Sequence, residues 1–288
     1  MPRRFDKIST KLWRDDGLGS AELLRGSFAG FAYDIHTHDK ACFALLTRGA
    51  IRIRMRGHEF VARAGDLYAI DPEEPHAGWP IDDEGWSLRT LYVRPQELHA
   101  LYSCGEGVLS HTPSIAGPII RDEVLAAHFV EVHRSSEVAA APLQREQAYL
   151  DFISDLFARH MRNVASPDAT ASREDRAIRI ARDFLDEHLD QRVRLDEVAR
   201  AAGLPALKLF RSFERATGMS PHGYQRQARM RLATELIRRG RALSVVAATT
   251  GFADQAHMTR SFRRTLGVTP GAYRQAFTAA PRIAADGR

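Results

Sequence analysis

"LFRSFERATGMSPHGY" (residues 209–224) and "MTRSFRRTLGVTPGAY" (residues 258–273) are one sixteen-residue pattern written twice, 49 positions apart and without gaps. Arg211, Ser212 and Phe213 fall on Arg260, Ser261 and Phe262; Gly218, Pro221 and Tyr224 fall on Gly267, Pro270 and Tyr273. Upstream, "LDEVARAAGL" (residues 195–204) aligns with "LSVVAATTGF" (residues 243–252). Each unit reads as a helix, a tight turn at a glycine and a second helix, which is a helix-turn-helix. Asp196 and Ser244 sit where the first helix of each unit would be capped. The apolar positions alone suit a helical repeat with no nucleic-acid role. Such a repeat gives no reason for two units only, or for an arginine on each second helix.

The segment between the motifs, "SPHGYQRQARMRLATELIRRG" (residues 220–240), carries an apolar stripe at Tyr224, Ala228, Leu232, Leu236 and Ile237. A helix of about 18 residues is about 27 Å long. Successive major grooves on one face of DNA lie about 34 Å apart. A helix of this length suits two recognition helices held near one groove repeat.

Charge points the same way. Residues 1–172 hold 19 Lys+Arg against 24 Asp+Glu, a net −5, whereas residues 173–288 hold 22 against 12, a net +10. A basic back half on an acidic front half suggests that only the back half meets a polyanion. With 288 residues the chain has room for two domains. Its two cysteines, Cys42 and Cys104, argue against a disulfide framework and for a reducing compartment. The first residues lack the apolar core of a signal peptide, and no run has the length of a membrane span. The expected location is the cytoplasm.

The C-terminal stretch, about 115 residues, resembles the DNA-binding domain of the AraC/XylS family of bacterial transcriptional regulators. "GFADQAHMTRSFRRTLGVTPGAYR" (residues 251–274) matches that family's most recognisable segment. The resemblance implies base-facing positions at Leu207, Lys208, Phe210 and Arg211 in the first unit. In the second it implies Gln255, Ala256, His257, Thr259 and Arg260. The chemistry fits: arginine is bidentate to guanine, glutamine suits adenine, and small or apolar groups pack on the thymine methyl. Arg211 and Arg260 are also able to hold phosphates. Leu209, Phe213, Met258 and Phe262 read as core. Pro205, where the family has a small polar residue, suits the first turn of a helix. Glu214 stands where the family often has lysine.

The front half is read around "YDIHTHDKACF" (residues 33–43). On one strand, His36 and His38 would point to the same side. Residues 20–95 read as short strands; Ile51, Ile53 and Met55 alternate with Arg52, Arg54 and Arg56, an exposed strand face. The punctuation suggests a sandwich or small barrel. Two helical patterns follow, one over Ile119, Ile120, Val124, Leu125, His128, Phe129 and Val132, the other over Tyr149 to His160 after Pro142. Their apolar faces could pack on the barrel or on a second subunit.

Two stretches, residues 30–49 and 65–76, resemble the two cupin motifs, which implies a cupin-like sensor barrel. Metal-binding cupins place a glutamate where this chain has Cys42; His36, His38 and His76 match the other ligand positions. Three readings of these residues stand open. They could line a pocket for a small organic effector, ligate a metal, or hydrogen-bond within the barrel.

The expected architecture is a two-domain chain: an N-terminal all-β cupin barrel followed by two helices, and a C-terminal all-α domain with two helix-turn-helix motifs. The expected boundaries are 1–162 for sensing and dimerisation, 163–173 for a linker, 174–277 for DNA binding and 278–288 for a tail. The function expected is a DNA-binding transcriptional regulator, not an enzyme, controlled by an effector at His36, His38, Cys42 and His76. No cofactor is expected, with metal at His36, His38 and His76 as the exception. Expected partners are double-stranded DNA, the effector, a second copy through residues 118–160, and RNA polymerase if the protein activates; no membrane is expected. The alternative is a metal-dependent cupin enzyme with an appended helical domain.

Overall fold

The computed structural model describes residues 8–19, 21–106, 112–115, 117–164 and 173–278. The chain divides into two compact units: residues 1–32, 38–166 and 275–288 group as the first, and residues 33–37 and 167–274 as the second.

The N-terminal strands are β1 (Ser9–Asp15), β2 (Ala21–Phe28), β3 (Tyr33–His36), β4 (Ala41–Met55), β5 (His58–Arg63), β6 (Leu67–Ile70), β7 (His76–Pro80) and β8 (Trp86–Val93), all of the first unit except β3, which groups with the second. Helix α1 (Pro95–Glu106), strands β9 (Thr112–Ile115) and β10 (Ile119–Ile120), helices α2 (Glu123–Glu137) and α3 (Pro142–His160), and strand β11 (Met161–Val164) complete the first unit. One path of antiparallel strands runs β1-β2-β8-β4-β6-β10. The long β4 serves two sheets: its first half pairs with β8 and β6, its second with β5 and β7. The change of sheet falls at a register shift between Leu46 and Arg48. Gly49 follows at φ +70°, and a Cβ there would stand 2.1 Å from the Gly85 carbonyl oxygen. Only glycine permits that approach.

In the second half of β4, Ile51, Ile53 and Met55 are buried and Arg52, Arg54 and Arg56 are exposed, as the alternation implies. Two of the arginines form ion pairs nearby, and Arg54 lies over the Trp79 ring. Arg52 reaches Glu59 at 3.3 Å, and Arg56 reaches Asp71 at 2.6 Å and Glu74 at 3.2 Å.

The apolar faces of α2 and α3 are spent on the sheet. Leu125, Phe129 and Val132 of α2 and Tyr149, Phe152, Ile153 and Leu156 of α3 form one core with Leu23, Phe43, Leu45, Leu67 and Leu91. Pro142 opens α3 as expected. The first helical pattern needs correction. Ile119 and Ile120 are a strand paired with Tyr68 and Leu67, and α2 begins at Glu123 with Asp122 capping it through the Leu125 amide at 3.0 Å. Val124 then falls on the outer face and is 54% exposed. Asn163 and Val164, read as linker, belong to β11 and pair with Pro113 and Thr112. Arg173, also read as linker, is the first residue of a helix; residues 165–172 and the tail beyond Thr278 lie outside the described residues.

The helices of the C-terminal part are α4 (Arg173–Glu187), α5 (Leu195–Ala201), α6 (Ala206–Thr217), α7 (Pro221–Arg238), α8 (Leu243–Thr249), α9 (Gln255–Leu266) and α10 (Pro270–Thr278). Its two halves repeat in detail. Gly218 and Gly267 end α6 and α9 in the left-handed conformation at φ 68° and 71°, each amide donating to a carbonyl four residues back at 2.8 Å. Ser220 and Thr269 then accept from the amides of Gly223 and Ala272, both at 3.1 Å. Asp196 and Ser244 are second residues of their helices; the cap positions fall on Arg194 and Ala242. At α5, Glu197 supplies the cap by accepting from the Arg194 amide at 2.7 Å. Pro205 is likewise the cap residue of α6, one place before its first turn. Among the described residues no helix is long and apolar enough to cross a membrane.

Candidate nucleic-acid interface and effector site

Helices α6 and α9 are fixed from behind by the residues expected as core. Leu209, Phe213, Met258 and Phe262 are all fully buried. The Phe213 ring meets Tyr224 edge-on at 5.5 Å, and the Phe262 ring meets Tyr273 edge-on at 5.3 Å. Helical periodicity then turns the remaining positions outward. Leu207, Lys208 and Arg211 on α6, and Gln255, Ala256, His257 and Arg260 on α9, are exposed.

Two of the expected base-facing residues have other engagements. Phe210 is half-buried and lines a cavity of about 150 Å³ with Val193, Leu195, Val198 and Pro221, so its ring serves as framework. The Thr259 hydroxyl donates to the Gln255 carbonyl at 2.8 Å, which leaves its methyl group for contact. The start of α9 is fixed by Asp254, whose carboxylate accepts from the His257 amide at 2.6 Å.

Helix α7 is 18 residues long, as its sequence implies. Its buried face is wider than the expected stripe: Leu232 and Leu236 are half-buried, while Gln225, Ala233 and Ile237 are buried with Tyr224 and Ala228. A helix packed between two motifs is covered on more than one side. Arg229 makes the tie. Its Nε and Nη2 donate to the carbonyls of Leu189 and Gln191 at 2.6 and 2.7 Å, and its Nη1 donates to Gly251 at 3.0 Å. Leu189 and Gln191 precede the first motif, and Gly251 is the turn of the second. Gln225 adds donations to His188 at 2.8 Å and Gln191 at 3.2 Å. Nothing in the sequence sets Arg229 apart from the other arginines of this segment.

Strand β3 ends at His36, so His38 lies on the connection to β4 and the two histidines do not share a strand. Each of the three expected histidines is anchored alike. Nδ1–H donates to a carbonyl two residues away: His36 to Asp34 at 2.7 Å, His38 to Lys40 at 2.6 Å and His76 to Glu74 at 2.9 Å. The carbonyl can only accept, so the neutral ring carries its proton on Nδ1 and presents Nε2 as acceptor. His38 and His76 come together with ring centroids 4.8 Å apart, and His38 meets Tyr92 at 5.6 Å. His36 lies against Tyr33 at 5.7 Å. Burial lowers His38 to about 4, so it is neutral at pH 7.

Strand register explains the rest of the cluster. Glu22, Tyr92, Cys42 and Ile70 stand opposite one another across β2, β8, β4 and β6. Tyr92 hydrogen-bonds the Cys42 thiol, whose pKa burial raises well above its ordinary value. Lys40 forms a buried ion pair with Glu22, two residues that the motif comparison gave no reason to single out. Among the described residues no three His, Cys, Asp or Glu side chains form a group able to hold a metal ion. On the other face of the sheet, a cavity of about 430 Å³ lies among Ala41, Phe43, Leu98, Ile115 and Met161, with Asp71 and His99 among its lining.

Two braced helix-turn-helix motifs with outward arginines, preceded by a sheet domain with a buried polar cluster, define a DNA-binding regulator with a sensor domain. Residues 198–276 match the family model described as a helix-turn-helix domain, and residues 18–153 match the AraC-like ligand binding domain. The regulatory protein SoxS of Escherichia coli is 36% identical over 92 residues, 32% of this chain and 86% of SoxS. The HTH-type transcriptional regulator YbfI of Bacillus subtilis is 27% identical over 225 residues, 77% of this chain and 80% of YbfI. The structure of unsaturated fatty acid bound ToxT from Vibrio cholerae has the same fold, with a TM-score of 0.52 at 12% identity, covering 95% of each chain. The chain belongs to the AraC family of transcriptional regulators: a DNA-binding regulator with an N-terminal ligand-binding domain.

Proposed function

We propose that the protein reads DNA through the exposed sides of α6 and α9, with Arg211 and Arg260 as the principal base contacts. Leu207, Lys208, Gln255, Ala256 and His257 stand beside them, and Thr259 offers its methyl. The carrying observation is that Arg211 and Arg260 occupy equivalent exposed positions on helices seated by equivalent buried pairs. The test is a mobility-shift titration with DNA selected from genomic fragments. Specific binding weakened in Arg260→Ala and steep salt dependence support the assignment.

The effector belongs, on this proposal, to the cluster of His38, His76, Cys42 and Tyr92, with His36 at the end of β3 nearby in sequence. A neutral His38 imidazole, with Nδ1 held by a carbonyl and Nε2 of acceptor character, suits a ligand with hydroxyl or amine donors. A second reading places an apolar effector in the 430 Å³ cavity, whose lining is mostly apolar and whose volume falls within the about 300–1,000 Å³ of small-molecule pockets. ToxT, with the same fold, is recorded with an unsaturated fatty acid. His76→Ala against Ala41→Phe separates the two, since each blocks one site.

The protein acts by binding and not by turnover, in the cytoplasm. It forms a homodimer through residues 118–160, in which the sheet takes one face of α2 and α3 and the second copy takes the other. Leu143 is 76% exposed and Leu150, two turns on, is 48% exposed. As an activator it would also engage RNA polymerase.

A further inference from the structure

Three cations stand directly opposite one another on adjacent strands of the sensor domain. Lys11 of β1 is in register with Arg25 of β2, and Arg25 with Arg89 of β8. Two residues along on the same strands, Ser9, Ser27 and Ser87 form a second row. Side chains two apart share a face, so both rows look the same way. The Ser27 and Ser87 hydroxyls are 2.8 Å apart. Like charges directly opposite on a sheet are destabilising, so three in a row need an answer.

The answer is partial. Glu137, the last residue of α2, lies 3.2 Å from Lys11 Nζ, 3.1 Å from Arg25 Nη1 and 3.0 Å from Arg89 Nη1. Burial pushes its carboxyl up, but hydrogen bonds from Arg89 and Lys11 outweigh this and hold it below the usual carboxylate range. One ionised carboxylate against three cations leaves a surplus of two positive charges. The two rows, with Thr10 and Thr47, line a groove of about 450 Å³ whose lining contains no acidic residue. Arg89 is largely covered, at 17% exposure, whereas Lys11 and Arg25 are half exposed and within reach of a ligand.

We propose that this groove binds a small molecule bearing a phosphoryl group. A phosphoryl monoester carries about −1.5 to −2 at pH 7 and three acceptor oxygens, which matches the surplus. Guanidinium groups meet such oxygens in a fixed fork, and the serine row supplies neutral donors beside them. An uncharged ligand would leave the surplus unanswered. The site lies on the opposite face of β2 from Glu22 and so is separate from the His38–His76 cluster; a regulator with both could register two signals.

The test is calorimetric titration of the full-length protein with glycerol 3-phosphate, with glycerol and with inorganic phosphate, all at one fixed ionic strength. Saturable binding is expected for the two phosphates and none for glycerol. Lys11→Gln with Arg25→Gln is expected to weaken binding by about tenfold or more, with the melting curve and circular dichroism retained. Arg52→Gln, on another strand face, should leave it unchanged. Glu137→Gln removes the competing carboxylate and should tighten binding. Absence of saturable phosphate binding, equal affinity in the Lys11/Arg25 double variant, or unchanged or weaker binding in a folded Glu137→Gln protein overturns the proposal. Should Glu137→Gln fail to fold, the double variant alone decides.

Discussion

The edge of the Phe262 ring meets Tyr273 at 5.3 Å, and 49 residues earlier Phe213 meets Tyr224 at 5.5 Å. Each pair clamps a recognition helix to the helix that follows it. Phe262 is fully buried. Phe262→Ala is therefore expected to lower the stability of the C-terminal unit by about 3–5 kcal/mol. Urea unfolding followed by far-ultraviolet circular dichroism reads this directly; a loss below about 1 kcal/mol would deny the clamp its role.

Arg229 ties the two motifs through three backbone carbonyls. Arg229→Ala leaves those carbonyls without their charged donor and should cost about 2–3 kcal/mol. Arg229→Lys should recover little, because a single ammonium cannot span three acceptors in a fixed fork. Hydrogen exchange around residues 189–191 and 251 should rise in both variants.

The sensor unit should weaken in acid. Burial holds His38 to about 4; His133 is held to about 3, by burial first and then by Arg89. In the unfolded chain both titrate near pH 6.5. Between about 6.5 and 4 the unfolded state binds protons that the fold refuses, so the stability is fully present above 6.5 and falls as pH drops. For His38 the loss is on the order of 3 kcal/mol. Unfolding midpoints at pH 7.5, 6 and 5 should descend in that order, and His38→Gln should flatten the trend. A flat wild-type profile would contradict it.

Leu143 and Leu150 lie outside the core that α3 shares with the sheet. Leu143→Asp with Leu150→Asp should yield monomer in sedimentation velocity, with little change in the melting curve. A dimer that persists would place the interface elsewhere.

The repeat makes the C-terminal unit legible in the sequence itself. Glycines, prolines and aromatics recur at fixed offsets because both copies solve one packing problem, and buried against exposed positions followed from helical period. Helix starts shifted by one or two residues: Glu197, not Asp196, caps α5, and side-chain spacing alone does not distinguish the two. In the sensor unit the period of β4 was readable, and α1 was not: Leu98 and Leu101 are too few to establish a helical face. Ile119 and Ile120 fitted a helix on spacing, yet they pair with β6, a long-range choice that no local pattern encodes. The Glu22–Lys40 pair and the Lys11–Arg25–Arg89 row are invisible in sequence for the same reason, since register between distant strands creates them.

The contact assignment is tested most directly by the equilibrium affinity of full-length protein for its selected operator, measured for wild type, Arg260→Ala and Arg52→Ala at one salt concentration. Arg260→Ala is expected to weaken specific binding by about 1–3 kcal/mol, roughly 5- to 150-fold, and to relax preference at one base position. Arg52→Ala should match wild type. Operator affinity unchanged in Arg260→Ala would contradict the assignment of α9 as the base-reading helix.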